Sequence, residues 1–172
     1  NEVEEVVDNQ GVRTWASVTK VPIYNRSGEI LGLVGVARDI TRLIQTEQAL
    51  REAEEKYRTI FENSVEGIYQ TSLDGRFLRA NPALARIYGY LSAEELMGSV
   101  NDVRTQVYVE PGRREEFVRT VLERGSITGF ESEIRQKGER TTWVSESARV
   151  VCDREGRPAY FEGTIEDISS RK

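Results

Sequence analysis

Apolar and polar residues alternate along two parts of the chain, and a period of two residues predicts β-strands with one buried face. In the N-terminal part, strand-like runs cover residues 3–7, 15–24 and 29–38, separated by turns at Asn9-Gln10-Gly11 and Ser27-Gly28. In the C-terminal part, residues 128–135 form the first run, and turns at Lys137-Gly138 and Glu155-Gly156 separate it from two more. Each part therefore ends in three antiparallel strands joined by hairpin turns.

The two strand-rich parts resemble each other in sequence. Residues 14–41 align with residues 142–169 without a gap, at an offset of 128 residues that places Trp15 on Trp143. Eight of the 28 aligned residues are identical, whereas ordinary amino-acid usage gives about two by chance. The gapless register favours a repeated structural unit over a chance likeness between two hairpins. Because the first copy starts almost at Asn1, which is not a methionine, we expect it to be the truncated end of a domain in a longer protein.

Between the copies, residues 41–62 predict one long amphipathic helix, which no glycine or proline interrupts. One face of this helix forms an apolar stripe whose residues are three or four positions apart. The stripe consists of Leu43, Thr46, Leu50, Ala53, Tyr57 and Ile60. Two interpretations stay open. The stripe is either the seam of a parallel dimeric coiled coil or the face by which an ordinary helix packs on its own domain.

The remaining residues predict an α+β domain. Runs at 67–73 and 76–80 flank the hairpin turn Asp74-Gly75. Short helices then start at Asn81-Pro82 and at a capping box in residues 92–95, and a longer helix covers residues 111–124. With the three C-terminal strands, this order predicts a five-stranded antiparallel sheet covered on one face by short helices.

Composition excludes several kinds of chemistry. The chain has no histidine, which excludes histidine-dependent nucleophilic catalysis and a phospho-accepting histidine within it. The single cysteine, Cys152, forms neither an internal disulfide nor, without histidine, a zinc site. A net charge of −5 argues against a nucleic-acid surface, and no apolar run is long enough to span a membrane. We therefore expect a cytoplasmic segment without catalytic residues, metal or membrane contact.

These elements and motifs together resemble a known family. Residues 61–98 look like the front half of a PAS sensory domain, and residues 130–169 resemble its back half, often called the PAC motif. The likeness rests on Asp74-Gly75, Asn81-Pro82-Ala83, Tyr88-Gly89-Tyr90, the Glu-Glu-Leu-Met-Gly segment at 94–98 and Asp167-Ile168-Ser169. Residues 1–41 look like the back half of a preceding PAS domain. The resemblance implies C-terminal PAS strands at 1–41, a signalling linker helix at 42–62 and a complete PAS/PAC domain at 63–172.

PAS domains are input or relay modules of histidine kinases, diguanylate cyclases, nucleotide cyclases and other regulators. The resemblance therefore implies a sensor or relay module of a bacterial signalling protein, which passes a conformational change through a dimeric linker helix at residues 41–62. The effector domain is expected downstream in the same polypeptide. The alternative is a passive dimerisation or spacing module that binds no ligand.

The family binds its cofactors through residues that this chain lacks. Haem-binding PAS domains supply a histidine from the longer helix, and light-sensing flavin domains supply a cysteine where this chain has Tyr108-Val109-Glu110-Pro111. We therefore expect neither histidine-ligated haem nor cysteinyl flavin. Another small ligand stays open, non-covalent flavin included, and no cofactor is required.

Candidate site residues follow from the apolar faces expected between sheet and helices. The candidate pocket consists of Ile68, Tyr88, Phe117, Val121, Phe130 and Trp143. The alternative is that these residues only fill the core.

The sequence also suggests roles for several charged residues. We expect Asp39 and Asp167 to anchor the exits toward the linker helices by pairing with Arg13 and Arg140 on neighbouring strands. Glu131 and Glu133, and the pair Arg113-Arg114, are expected to be solvated surface charges.

Overall fold

The computed structural model describes residues 2–7 and 10–171. It divides into two compact units, Asn1–Tyr57 and Arg58–Lys172, and each unit is described by itself below. The first residue of the predicted turn at Asn9-Gln10-Gly11 lies outside the described residues. Within the described ranges, no helix combines the length and apolar character needed to cross a lipid bilayer.

Strands and helices follow the order expected from the sequence. The strands are β1 (Glu2–Val7), β2 (Arg13–Tyr24), β3 (Ile30–Asp39), β4 (Gly67–Ser72), β5 (Phe77–Ala80), β6 (Ser126–Arg135), β7 (Thr141–Cys152) and β8 (Pro158–Asp167). The helices are α1 (Thr41–Asn63), α2 (Pro82–Ile87), α3 (Ala93–Ser99), α4 (Val103–Gln106) and α5 (Arg113–Arg124). A one-turn 3₁₀ helix, η1, covers Ser169–Arg171. The short helix α4 was not expected from the sequence.

The N-terminal unit contains an antiparallel three-stranded sheet in the order β1-β2-β3, followed by α1 as far as Tyr57. Exposed apolar side chains occur on all three strands, among them Val3, Val21, Leu33 and Val36. Asp39 ends β3, and α1 begins two residues later at Thr41. The sheet therefore leads almost directly into the long helix, as the repeat and the heptad pattern predict.

The C-terminal unit has the predicted α+β fold. Its five antiparallel strands lie in the order β5-β4-β8-β7-β6, with buried side chains alternating along β7. The short helices begin where the sequence predicts, because the Asn81 and Ser92 side chains accept hydrogen bonds from the third residue of each following turn. The core beneath these helices contains Leu84, Leu96, Phe117 and Phe161, each almost fully buried.

Strand pairing extends the repeat through all three strands of each copy. Glu4 lies opposite Ala16, and at the same 128-residue offset Ser132 lies opposite Val144. Ala16 in turn lies opposite Asp39, as Val144 lies opposite Asp167. Both copies shift register after equivalent residues, at Ile23/Tyr24 and at Val151/Cys152. The two copies therefore share pairing and irregularity as well as sequence.

The hairpin turns of the two copies are also built alike. In the first, the side chain of Asn25 accepts hydrogen bonds from the backbone N–H groups of Ser27 and Glu29. In the second, the Asp153 carboxylate accepts from Glu155 and Arg157. A short side chain that folds back on its own turn fixes the hairpin, and Asn and Asp serve this purpose equally.

Candidate functional site

A cluster of buried polar side chains lies between the sheet and the helices of the C-terminal unit. Glu146 on β7 is 4% exposed, and around it are Tyr69 on β4, Tyr108 between α4 and α5, and Arg114 on α5. Thr71 on β4 is buried beside them. Charged groups this deeply buried require partners, because an unpaired carboxylate in a protein interior is strongly destabilising.

Two tyrosine hydroxyls satisfy the Glu146 carboxylate. Tyr108 donates to one carboxylate oxygen over 2.8 Å, and Tyr69 donates to the other through a short hydrogen bond. Each carboxylate oxygen therefore has a hydroxyl donor. The donors come from separate parts of the fold, so Glu146 holds β4, β7 and the loop before α5 together.

Arg114 places a guanidinium in the same interior. It lies above the rings of Phe117 and Phe161, with its central carbon 4.7 Å and 5.5 Å from their centres. It donates a long hydrogen bond, of 3.4 Å, to the Thr71 hydroxyl. In the described part of the chain it forms no close ion pair, and it acts on Glu146 electrostatically. The expectation that Arg114 is a surface charge is therefore wrong, because the first turn of α5 directs it inward.

Burial and charge together set the protonation of the cluster. Burial raises the pKa of the Glu146 carboxyl, although Arg114 and the two tyrosine hydroxyls partly offset it. Burial and the neighbouring carboxylate also raise the pKa of Tyr69 and Tyr108 well above their ordinary values, so both hydroxyls stay protonated donors. Burial opposes the charge on Arg114, but Tyr108 and Glu146 outweigh it and raise the pKa of the guanidinium. The cluster therefore contains a fixed cation beside a carboxyl that is easily protonated.

A glycine on the intervening strand lets Tyr69 reach Glu146. Tyr69 lies opposite Gly163 on β8, and Gly163 lies opposite Ala148 on β7. A Cβ atom at position 163 would lie 2.9 Å from the Tyr69 hydroxyl and 2.4 Å from the Ser147 carbonyl oxygen. The glycine therefore leaves space over β8 for the tyrosine side chain.

Asn81 is buried but is fully used by the fold. Its side-chain oxygen accepts from the backbone N–H groups of Ile68 and Leu84, each over 2.9 Å. Its amide nitrogen donates to the carbonyl oxygens of Phe61 and Glu66, each over 3.0 Å. Two acceptor bonds and two donor bonds match the capacity of the amide, so this residue has a structural role.

Space inside the cluster is small. An internal cavity of about 10 Å³, which holds about one water molecule, lies among these side chains. It is lined by Tyr69, Thr71, Phe77, Tyr88, Val103, Val107, Tyr108, Arg114, Glu146 and Ile165. The protein's own side chains therefore occupy most of the interior between sheet and helices.

The structure separates the candidate pocket residues into two groups. Tyr88 lines the internal cavity, and Phe117, Val121 and Phe130 belong to the surrounding core. Ile68 and Trp143 lie on the opposite face of the sheet, because their strand neighbours Tyr69 and Val144 occupy the inner face. These two residues therefore do not face the helices, contrary to the expectation from the sequence.

The exit aspartates cap the segments that follow them. The Asp39 carboxylate accepts from the backbone N–H of Thr41 over 2.8 Å, and Asp167 accepts from that of Ser169 over 2.9 Å. The Thr41 side chain and then its backbone N–H hold the pKa of the Asp39 carboxyl below its ordinary value. At Asp167, burial opposes the same effect, but the bonds from Ser169 outweigh it and also lower the pKa.

The arginines expected beside these aspartates lie elsewhere. Arg13 pairs with Glu5 across β1 and β2 over 3.3 Å. Arg140 forms no ion pair within the described part of the chain, and Thr142 donates to Asp167 over 3.2 Å instead. The predicted pairing is therefore replaced by a hydroxyl donor from Thr142 and by backbone donors from Thr41 and Ser169.

Four residues at the centre of the cluster were not expected from the sequence. Glu131 and Glu133 lie on the outer side of β6, but the inward register of β7 runs Thr142, Val144, Glu146, Ala148. Glu146 occupies every second position together with Val144 and Ala148, so the alternation along β7 predicts that this glutamate faces inward. Tyr69, Tyr108 and Arg114 have no local signal, because only the folded topology brings them to it.

Comparisons with known proteins agree with the fold. A family profile described as the PAS fold matches residues 77–165, and one described as a PAS domain matches residues 3–42. A solved PAS domain from Colwellia psychrerythraea superposes with a TM-score of 0.59 at 23% identity, over 69% of this chain and 99% of that one. The second profile match falls on the strands that the repeat identifies as the first copy.

Two curated sensors share sequence with this chain. The sensor histidine kinase TmoS of Ectopseudomonas mendocina is 30% identical over 138 residues, covering 76% of this chain and 13% of the relative. The methyl sulfide methyltransferase-associated sensor of Methanosarcina acetivorans is 26% identical, over 99% of this chain and 19% of the relative. The chain thus spans less than a fifth of the length of either relative.

The raised pKa of Glu146 predicts a specific dependence of stability on pH. Between its ordinary value of 4.5 and its raised value in the folded state, the folded protein holds a proton that the unfolded chain has released. The free energy of unfolding therefore falls as pH rises through this interval, by about 1.4 kcal/mol per pH unit at most. Urea denaturation of the wild type and Glu146→Gln from about pH 4.5 to about pH 7.5 measures the difference between their slopes.

Glu133→Gln is the matched control for this experiment, because Glu133 lies on the other side of the sheet. It should leave the pH profile parallel to that of the wild type. If Glu146→Gln also gives a parallel profile, the buried carboxyl does not titrate as described.

Proposed function

The chain belongs to the PAS domain family, and on that premise we propose that it is a sensor or relay module of a multidomain signalling protein. Its C-terminal unit receives a small-molecule signal or a movement from upstream and passes a conformational change to the segment that follows Asp167. One observation supports this: the buried Glu146 and the exit residue Asp167 lie on the same pair of strands, β7 and β8.

The route between the two residues is short. Glu146 lies opposite Ile165, and two residues further along β7 Val144 lies opposite Asp167. Thr142, the next inward residue of β7, donates to the Asp167 carboxylate. A change at Glu146 that displaces β7 would therefore strain the hydrogen bond from Thr142 to Asp167. It would also disturb the bond that Asp167 accepts from the Ser169 N–H.

The linker helix provides the dimeric element of the proposal. Leu43 and Leu50 on the apolar stripe of α1 are 65% and 59% exposed. A second copy of α1 offers the same stripe at the same spacing, and a parallel pair would bury both. We therefore propose a homodimer through residues 41–62, in which the cap of Asp39 on Thr41 connects the first sheet to the helix pair.

The effector domain is proposed to lie downstream in the same polypeptide. The name of the Ectopseudomonas relative favours a histidine kinase, and a diguanylate cyclase or a nucleotide cyclase is the alternative. A segment with a phospho-accepting histidine in the parent protein would identify the first, and a Gly-Gly-Asp-Glu-Phe segment would identify the second.

A passive dimerisation or spacing module is the second candidate function. The water-sized internal cavity favours it, because a core filled by its own side chains needs no ligand. In that case the Glu146 cluster stabilises the fold, and changes at Glu146 should not be transmitted selectively to the exit.

Hydrogen–deuterium exchange on the whole chain distinguishes these two functions. Glu146→Gln should accelerate exchange in peptides covering residues 165–171 by about threefold or more, relative to peptides of β5. Val121→Ala is the matched control, because Val121 is buried on α5 and does not line the cavity around Glu146, so its truncation weakens the core without removing a partner of the cluster. A relay predicts selective acceleration in Glu146→Gln alone. Uniform acceleration in both variants would support the passive module.

Dimerisation through α1 has its own test. Leu50→Asp places a charge on the stripe and should convert dimers to monomers in sedimentation equilibrium, because two buried aspartates would face each other in a parallel pair. Gln48→Asp, exposed on the same helix but off the stripe, should leave the dimer intact. A monomeric wild type, or a Leu50→Asp variant that remains dimeric, would rule out this interface.

A further inference from the structure

A surface groove borders the buried cluster on the side of α5. It has a volume of about 310 Å³, at the lower end of the range for small-molecule sites. Its walls are the turn between β4 and β5 and the helices α4 and α5. They are lined by Leu73, Asp74, Gly75, Arg104, Arg114, Glu115, Val118 and Arg119.

Arg114 is shared by the groove and the internal cavity. Arg114 lies in the wall of the groove and also lines the cavity that contains Glu146. Among the described residues, no other one lines both of these spaces. Arg114, which is only 5% exposed, is therefore the residue that the groove and the buried cluster have in common.

The guanidinium has donor capacity beyond what the fold uses. A guanidinium has five N–H donors in a planar fork that fits a carboxylate. Arg114 donates to Thr71 over a long 3.4 Å and interacts with the Tyr108 hydroxyl, and its attraction to Glu146 is electrostatic. These partners use fewer than five donors. An acceptor supplied from the groove would satisfy donors that these protein groups leave over.

The charge of the groove favours an acid with a single negative charge. Asp102 pairs with Arg104 over 3.0 Å, and Asp74 interacts with Ser72 and with Arg76. The remaining charged residues of the wall are Arg114, Arg119 and Glu115, which carry one net positive charge before the buried Glu146 is counted. Leu73 and Val118 add apolar surface to the same wall.

We propose that this groove binds a small organic carboxylate, whose carboxyl group pairs with Arg114 and whose apolar part packs on Leu73 and Val118. The inference deepens the proposed sensor function, on which it rests, by naming the chemical class of the signal. Binding draws the Arg114 charge away from Glu146, which changes the electrostatic balance of the cluster. The relay from β7 to Asp167 then begins with that change.

Isothermal titration of the whole chain tests the ligand class. Benzoate and benzamide are the probes, because they share a benzene ring and differ in charge. The dissociation constant of benzoate should be lower than that of benzamide by a factor of about ten or more. Inorganic phosphate should bind no more tightly than benzamide. Equal affinity for the two aromatic probes, tighter binding of phosphate, or no benzoate binding up to about 10 mM would each overturn the proposal.

Variants test the role of Arg114. Arg114→Gln with Glu146→Gln removes both buried charges together, so that neither is left unpaired, and should weaken benzoate binding about tenfold or more. Arg114→Lys keeps the charge but loses the fork, and should weaken binding by a smaller factor. Arg124→Gln, on the last turn of the same helix and outside the groove, should bind as the wild type does. Unchanged benzoate binding in the double variant would overturn the assignment.

Hydrogen exchange with and without benzoate separates this inference from the sensor function. If benzoate binds through Arg114 and changes exchange in residues 165–171, both proposals are supported. Binding without any change at the exit supports the ligand site and contradicts the relay. If benzoate does not bind while Glu146→Gln still alters the exit selectively, the relay stands and the ligand class is wrong.

Discussion

The interior of the C-terminal unit depends on one buried carboxylate. Glu146 lies on the inner face of β7, where every neighbour along that face is small or apolar except Thr142. Its burial is tolerated because Tyr69 and Tyr108 each donate to one of its oxygens and Arg114 adds a positive charge nearby. Since these partners come from β4, the loop before α5 and α5, the same interaction positions sheet and helices relative to each other.

The three-stranded sheet of the first copy has a different residue at the position of this glutamate. At the 128-residue offset, Val18 occupies the position of Glu146, opposite Glu2 as Glu146 lies opposite Phe130. The two copies share their strand register, their bulge, their hairpin turn and their capping aspartate. A valine in the first copy and a glutamate in the second, at equivalent positions of strands that pair alike, make Glu146 a feature of the second copy alone.

Much of the fold was predictable because its signals are local. The alternation of apolar residues locates the strands, Asn81 and Ser92 mark helix starts, and the equivalence of Trp15 and Trp143 reveals the repeat. The site was much less predictable. Glu146 bonds to a tyrosine 77 residues away and to another 38 residues away, and no local pattern encodes such distances.

The misplaced residues have equally specific causes. Ile68 and Trp143 are apolar, but the period of two along each strand puts them on the other face from Tyr69 and Val144. Arg13 lies on β2 and Arg140 just before β7, the strands that pair with the exit strands, but hydroxyl and backbone donors bind the aspartates instead. The sequence shows which residues are apolar or charged. It does not show which face of a strand a residue occupies, or which donor lies nearest to each aspartate.

A double-mutant cycle between Tyr108 and Glu146 tests most directly whether the buried carboxylate organises this interior. Tyr108→Phe should cost about 1–2 kcal/mol of unfolding free energy in the wild type, because it removes one donor to Glu146. In a Glu146→Leu background the hydroxyl has lost its acceptor, so the same substitution should be neutral or stabilising. An equal cost of Tyr108→Phe in both backgrounds would show that the hydroxyl and the carboxylate do not interact and would contradict the account.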